Sequence, residues 1–168
     1  VTVNSDELVA GGILKEGSVL GFDDAGVGHV LKSASVTDQA AANATSINIA
    51  KGSHIKAGDF ITDGTASVAV ASVDTSSSAL HDTLTVTLNG STGLGALAVG
   101  AIVVQAAAAG ASAKALKYEP VAMVGEAYDV KDGENLWVAA IVMGTFKKSL
   151  IPPMSKDVYA KLKGIILI

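Results

Sequence analysis

The 168-residue chain has no cysteine, no arginine and only three prolines. Without cysteine there is no disulfide framework, no thiolate zinc site and no thiol nucleophile, so its stability does not depend on redox compartment. All twelve basic residues are lysines, and the net charge is −4. Proteins that read nucleic acid use the arginine fork for phosphates and guanine edges. Its absence from an acidic chain argues against a nucleic-acid partner. Residues Val1 to Leu8 are polar and mildly acidic rather than basic and then apolar, so no secretory leader is expected there. Long apolar runs are also scarce. Thr83 to Ala113 carries no charge, but its apolar part, Leu94 to Gly110, falls short of the roughly 20 residues of a membrane span. It is broken by Gly95, Gly100 and Gln105 and has no interfacial anchor beside it, so no membrane role is expected.

What remains is rich in Ala, Gly, Val, Ser and Thr, with 49% hydrophobic and 17% charged residues. That is ample for a packed core, and small and β-branched residues suit strands and tight turns better than long helices. Composition separates three zones. Residues 1–32 are acidic, through Asp6, Glu7, Glu16, Asp23 and Asp24. Residues 33–113 are rich in Ala, Ser, Thr and Gly. Residues 114–168 hold every proline, the one tryptophan, and five of the twelve lysines within the last 22 residues.

The middle zone alternates small polar and apolar residues with period two over Thr45–Ala50, Ala66–Val73 and Thr83–Leu88, the pattern of half-buried strands. Asp63-Gly64 and Asn89-Gly90 supply residues that tolerate the positive φ of tight turns. A weak repeat also runs along the chain: Leu14 to Leu20, Ile55 to Ile61 and Leu97 to Val103 each place an apolar residue before a turn ending in Gly17, Gly58 or Gly100, and then a buried strand. In each the glycine is expected at positive φ.

In the last zone Pro120–Val130 and Leu136–Met143 read as two strands around an Asp132-Gly133 turn. Leu136–Met143 is apolar enough to be buried on both faces, or on one face and in a subunit contact. One helix follows Pro152-Pro153, with Ser155 as N-cap, Asp157 in its first turn, Lys161 and Lys163 in its last, and Gly164 as a left-handed cap. Met154, Val158 and Leu162 would pack on the sheet, each contributing about 1.5–3 kcal/mol. The apolar Ile165 to Ile168 is expected to be docked. The pattern predicts a mainly β fold with one short C-terminal helix.

The segments PVAMVGEAYDV and LWVAAIVMGTFKKSLIPPMSKDVYAKLKGIILI resemble the end of the head decoration proteins of lambda-like tailed phages. There a strand closes on a Gly-x-Phe step (Gly144-Thr145-Phe146 here), followed by a proline-containing loop, a short helix, and Gly-Ile with further apolar residues (Gly164 to Ile168). Leu14 to Gly21 matches that family's early turn into its first strand. The likeness covers about residues 8–32 and 115–168. Compact members have nothing like residues 33–113, whereas phage head-fibre proteins carry a protruding domain on a capsid-bound base. The resemblance thus implies a small decoration-type β base built from residues 1–32 and 114–168, with an inserted, protruding β-barrel or β-sandwich-like domain over 33–113.

The resemblance implies a structural virion protein with no catalytic activity, metal or cofactor. It would be a homotrimer on the outer surface of the head at threefold or quasi-threefold positions, bracing the major capsid protein. It also implies an N-terminal arm, here Val1, Thr2, Val3 and Asn4, which orders on the capsid by adding a strand. This segment is β-prone and lacks an obvious hairpin partner, although a frayed terminus is an equal reading. Trp137, Phe146, Val158 and Leu162 are the candidate trimer or core contacts, Trp137 being either an interface anchor or an ordinary core residue.

Chemistry is sparse. Asp23-Asp24 with His29 follows no ligand spacing and reads as a polar turn between strands. His54 and His81 stand beside turn residues and read as surface groups. Asp129, Asp132 and Glu134 lack the spacing of a calcium loop. Gly90 to Gly95 lacks the Lys-Ser/Thr of a phosphate loop. An alternative reading is a cell-surface or carbohydrate-binding β module, with a host-surface glycan held by the insertion. That function needs an exposed aromatic platform, and the insertion offers only Phe60.

Overall fold

A computed structural model describes residues 1–168 throughout and is mainly β, with 39% strand and 2% helix. The strands up to residue 106 are β1 (Thr2–Val3), β2 (Ile13–Leu14), β3 (Val19–Phe22), β4 (Gly28–Leu31), β5 (Ser33–Ser35), β6 (Ser46–Ala50), β7 (Phe60–Thr62), β8 (Ser67–Asp74), β9 (His81–Thr87) and β10 (Ile102–Ala106). The rest are β11 (Ala122–Val124), β12 (Tyr128–Asp129), β13 (Leu136–Trp137), β14 (Ala140–Ile141), β15 (Gly144–Phe146), the helix α1 (Lys156–Tyr159) and β16 (Ile165–Leu167). No helix is long and apolar enough to cross a membrane.

Two compact units divide the chain: Val1–Lys32 with Tyr118–Ile168, and Ser33–Lys117. The second junction falls after Lys117 rather than Ala113. Residues 114–117 are tied to the β10 region by Ala107 N–H to Ala115 O at 2.8 Å and Lys117 N–H to Gln105 O at 3.3 Å.

In the unit Ser33–Lys117 a six-stranded sheet has the order β5-β10-β7-β8-β9-β6, with every neighbouring pair antiparallel. It curls until its two ends meet, through a Val36–Ile49 bridge and the Thr37 N–H to Asn48 O bond at 2.9 Å. The alternation explains the curl's interior: Ile47 and Ile49, Val68 and Val70, Leu84 and Val86, with Ile61 and Val103, form one buried cluster. Thr85 and Thr87 stay outside. An extra residue, Ala71, bulges β8 between Val70 and Ser72, which bends the strand and increases its twist. The Asp63-Gly64 and Asn89-Gly90 turns both form, with Gly64 at φ 90° and Gly90 at φ 65°.

In the other unit the sheet order is β13-β1-β4-β3-β11-β14. Val3, Leu20, Val30, Ala122, Val124 and Leu136 contribute to one core cluster beneath it, completed by Leu8, Leu14, Val130 and Val138. A ribbon pairs β12 with β2, and a separate parallel pair joins β15 to β16.

The repeated turn occurs in both units and has one hydrogen-bonding scheme. Gly17, Gly58 and Gly100 lie at φ 77°, 89° and 83°. Each is the third residue of a turn closed by an i to i+3 bond: Ser18 N–H to Lys15 O, Asp59 N–H to Lys56 O, and Ala101 N–H to Ala98 O. Each glycine N–H then donates at 2.8 Å to a neighbouring extended segment, at Val124 O, Val70 O or Val36 O, and the same valine returns a bond to the residue after the glycine. Gly11 (φ 75°) is a fourth copy, exchanging the same pair of bonds with Val130. Its strand is only two residues long, which is why the apolar pattern did not disclose it.

Several local expectations are corrected. Leu136–Met143 is two short strands with Val138-Ala139 between them, and Pro120–Val130 likewise splits into β11 and β12. Helix α1 is a single turn. Ser155 caps it by accepting the Val158 N–H at 3.3 Å, but Lys161 and Lys163 lie beyond its end. Gly164 is not in the left-handed region. A Cβ there would meet Val142 O at 2.2 Å, so close backbone approach, not a helix cap, requires glycine. The end of the chain is half docked: Ile165 is buried, while Ile166 and Ile168 are exposed.

Candidate functional site

The titratable groups that meet in space centre on His29 in β4. Its Nδ1 faces Glu7 Oε2 at 3.2 Å and its Nε2 faces Asp23 Oδ2 at 3.4 Å. The ring is stacked on Tyr118, whose hydroxyl donates to Glu7 Oε1. Local sequence explains each position. Asp23-Asp24-Ala25-Gly26 is the expected polar turn between β3 and β4, closed by Gly26 N–H to Asp23 O at 3.0 Å. Asp23 Oδ1 accepts the N–H groups of Val27 and Ala25, at 2.8 and 3.0 Å. These bonds, that to Val27 above all, hold its carboxyl below the ordinary carboxylate range. Tyr118 reaches the ring because Gly21 in β3 has no side chain: a Cβ there would lie 2.6 Å from Glu119 O and 2.7 Å from Tyr118 Cβ.

Chemically the group is a brace. A neutral imidazole donates from one nitrogen only, and both nitrogens here face carboxylates that already accept other bonds. Glu7 thereby ties the segment between β1 and β2 to the sheet. Sequence spacing placed Asp23 beside His29 but did not disclose Glu7 or Tyr118, which are brought there from 22 residues before His29 and from the far side of the other unit's sequence.

The remaining polar candidates are dispersed. His54 is buried at φ 59° rather than a surface group. His81 lies 3.7 Å from Asp38 in the other unit's sheet. Asp129, Asp132 and Glu134 are exposed, and Glu134 lies 3.6 Å from Lys131. No group of three or more His, Asp or Glu side chains, that around His29 included, is arranged to hold a metal ion.

The candidate contact residues separate by burial. Phe146, Val158 and Leu162 are buried within the unit. Trp137 is 77% exposed, so it is not a core tryptophan. The candidate arm is already a strand: Thr2 and Val3 pair antiparallel with β13 and Val3 pairs parallel with Gly28, while Asn4 N–H donates to Gly28 O at 2.9 Å. Both sides of β1 are occupied, so these residues would have to leave their own sheet to join another. The reason is that β4 and β13 supply the partners that no adjacent hairpin could.

A surface feature that the sequence pattern did not single out lies on the β15–β16 pair. Met143, Ile166, Ile168 and Leu150 are 79%, 59%, 74% and 71% exposed. Thr145 is directly opposite Ile166, so the alternation puts Met143, Thr145, Ile166 and Ile168 on one face. Leu150 lies on the following turn, where the Lys148 N–H donates to Ile168 O at 2.8 Å. Compared with family models, curated protein sequences and solved structures, the chain finds no match.

Proposed function

We propose that this is a structural virion protein of a tailed phage, a trimer that decorates the outer surface of the head by binding the major capsid protein. The observation that carries the proposal is a coincidence of location. The C-terminal segment with the decoration-protein resemblance, from Leu136 to Ile168, is also where Trp137, Met143, Leu150, Ile166 and Ile168 stand in water. Soluble monomers rarely leave large apolar side chains grouped as Met143, Leu150, Ile166 and Ile168 are at the β15–β16 pair unless a protein surface covers them. In this reading the unit Val1–Lys32 with Tyr118–Ile168 is the capsid-bound base, and the His29 brace serves its stability.

The test is the solution mass of the purified chain by light scattering, followed by cosedimentation with empty phage heads. A trimer that pellets with heads is the expected result. A monomer that stays in the supernatant overturns the proposal.

A further inference from the structure

The exposed face of β15–β16 has three properties that together describe its occupant. It is apolar, through Met143, Ile166, Ile168 and Leu150, with Val142 beside Met143 also exposed. It is open-edged: β15 and β16 each have one strand neighbour only, a position at which a further strand can add, although the Ile165 N–H is taken by Leu162 O at 3.0 Å. It is also basic. Lys147 and Lys148 are exposed directly after β15, whereas Lys161 is taken by both carboxylate oxygens of Glu119.

The acidic counterpart lies in the six-stranded sheet of the same unit, to which β15 and β16 do not belong. Strand β3 begins after the Gly17 turn, where a Cβ on Gly17 would meet Ile151 Cγ2 at 2.2 Å, so that end adjoins Leu150 and the lysine pair. β3 ends at the turn holding Asp23 and Asp24, with Glu7 drawn in by His29. Four residues of strand separate the two ends by about 13 Å at the usual rise. A face-to-face contact between two β15–β16 pairs would oppose lysine to lysine. A head-to-tail contact instead sets the lysine-rimmed apolar face of one copy against the acidic end of the next.

We infer that the β15–β16 face is a self-association surface whose occupant is a second copy of this chain, docked head to tail against the β3–β4 turn end. The inference rests on the self-association part of the proposed function and is independent of the capsid. The exposed aliphatic side chains amount to on the order of 600 Å², at the upper end for a monomer and most of one partner's share, about 800 Å², of a standard interface. Head-to-tail contacts are heterologous: they close into a ring when the rotation permits and otherwise propagate. Lys147 and Lys148 beside the open edge oppose uncontrolled strand addition.

Sedimentation velocity on the full chain tests this, in low and high salt, with urea unfolding midpoints as the control for folding. Met143→Asp with Ile166→Asp is expected to convert an oligomer to monomer with the midpoint kept. If that variant fails to fold, Met143→Gln with Ile166→Thr takes its place. Lys148→Glu is expected to weaken association about tenfold, and adding Asp24→Lys in the same chain to recover most of the loss, since each interface then regains an opposite pair. An oligomer that persists in both aspartate and polar variants overturns the inference and leaves the capsid proposal standing. A wild-type chain that is monomeric overturns it as well, and head cosedimentation then decides the capsid contact separately.

Discussion

The imidazole of His29 lies over the ring of Tyr118, with centroids 4.4 Å apart and planes 15° from parallel. The stack brings Tyr118, the first residue after the chain returns from the Ser33–Lys117 unit, onto β4. The Tyr118 hydroxyl then reaches Glu7. A hydrogen bond to a charged acceptor contributes about 1.5–3 kcal/mol when buried, and this one is partly buried. Tyr118→Phe should therefore lower unfolding free energy by about 1–2 kcal/mol, read from urea denaturation. An unchanged midpoint would remove the brace from the account of stability.

The glycines of the repeated turn should differ in their tolerance of alanine. At Gly58 and Gly100 an added Cβ meets nothing, so alanine suffers only the left-handed backbone, about 1–2 kcal/mol. At Gly17 the Cβ would also lie 2.2 Å from Ile151 Cγ2. Gly17→Ala should be the most destabilising of the three, and Ile151→Ala should recover part of its loss. Equal costs at all three positions would contradict the packing of Ile151 on this turn.

Asp63 gives the unit Ser33–Lys117 a defined acid response. Burial alone would raise its carboxyl, but bonds from the Ala66 N–H, the Thr65 hydroxyl and N–H, and the Gly95 N–H outweigh it and hold it below the ordinary value. The group's contribution to stability is thus present above the unfolded-state pKa, about 3.9, and is lost as pH falls through the lower folded value. Asp63→Asn should be less stable than wild type at neutral pH by about 1–2 kcal/mol, and the difference should vanish in strong acid. A difference independent of pH would contradict this. Asp74, pushed down to about 2 by the Ser76 and Ser77 bonds, is fully exposed and serves as the comparison carboxylate.

Leu162 and Trp137 should separate folding from association. Leu162 is buried, so Leu162→Ala should cost about 2–5 kcal/mol. Trp137 stands in water, and Trp137→Ala should stay within about 0.5 kcal/mol. As the chain's one tryptophan, it reports on its own surroundings: iodide should quench its fluorescence in the monomer, with less access in any assembly that covers it. Quenching that is weak in a demonstrated monomer would place the indole in a core after all.

Period-two alternation located β6, β8 and β9 of the Ser33–Lys117 unit closely because that signal is local: one face of each strand meets the core and the other meets water. The turns were legible for the same reason, since Gly17, Gly58, Gly100, Gly64 and Gly90 are required by the backbone of their own few residues. Leu136–Met143 misled because a run of apolar residues records hydrophobicity without recording what covers it. Trp137, Val142 and Met143 are left in water. Gly164 misled because a close approach from Val142, distant in sequence, and a helix cap demand the same residue.

The sequence by itself determined the mainly β class, the positions of the tight turns, the repeated glycine device and the N-cap at Ser155, all set by backbone sterics and alternation over a few residues. Tertiary structure alone decided which strands pair. It placed Thr2 and Val3 between β4 and β13, curled the six-stranded sheet until Val36 met Ile49, and gathered Glu7, Asp23 and Tyr118 around His29. It also left Met143, Ile166 and Ile168 on an open face. These outcomes depend on contacts between residues far apart in sequence, where hydrophobic pattern limits the possible partners without choosing among them.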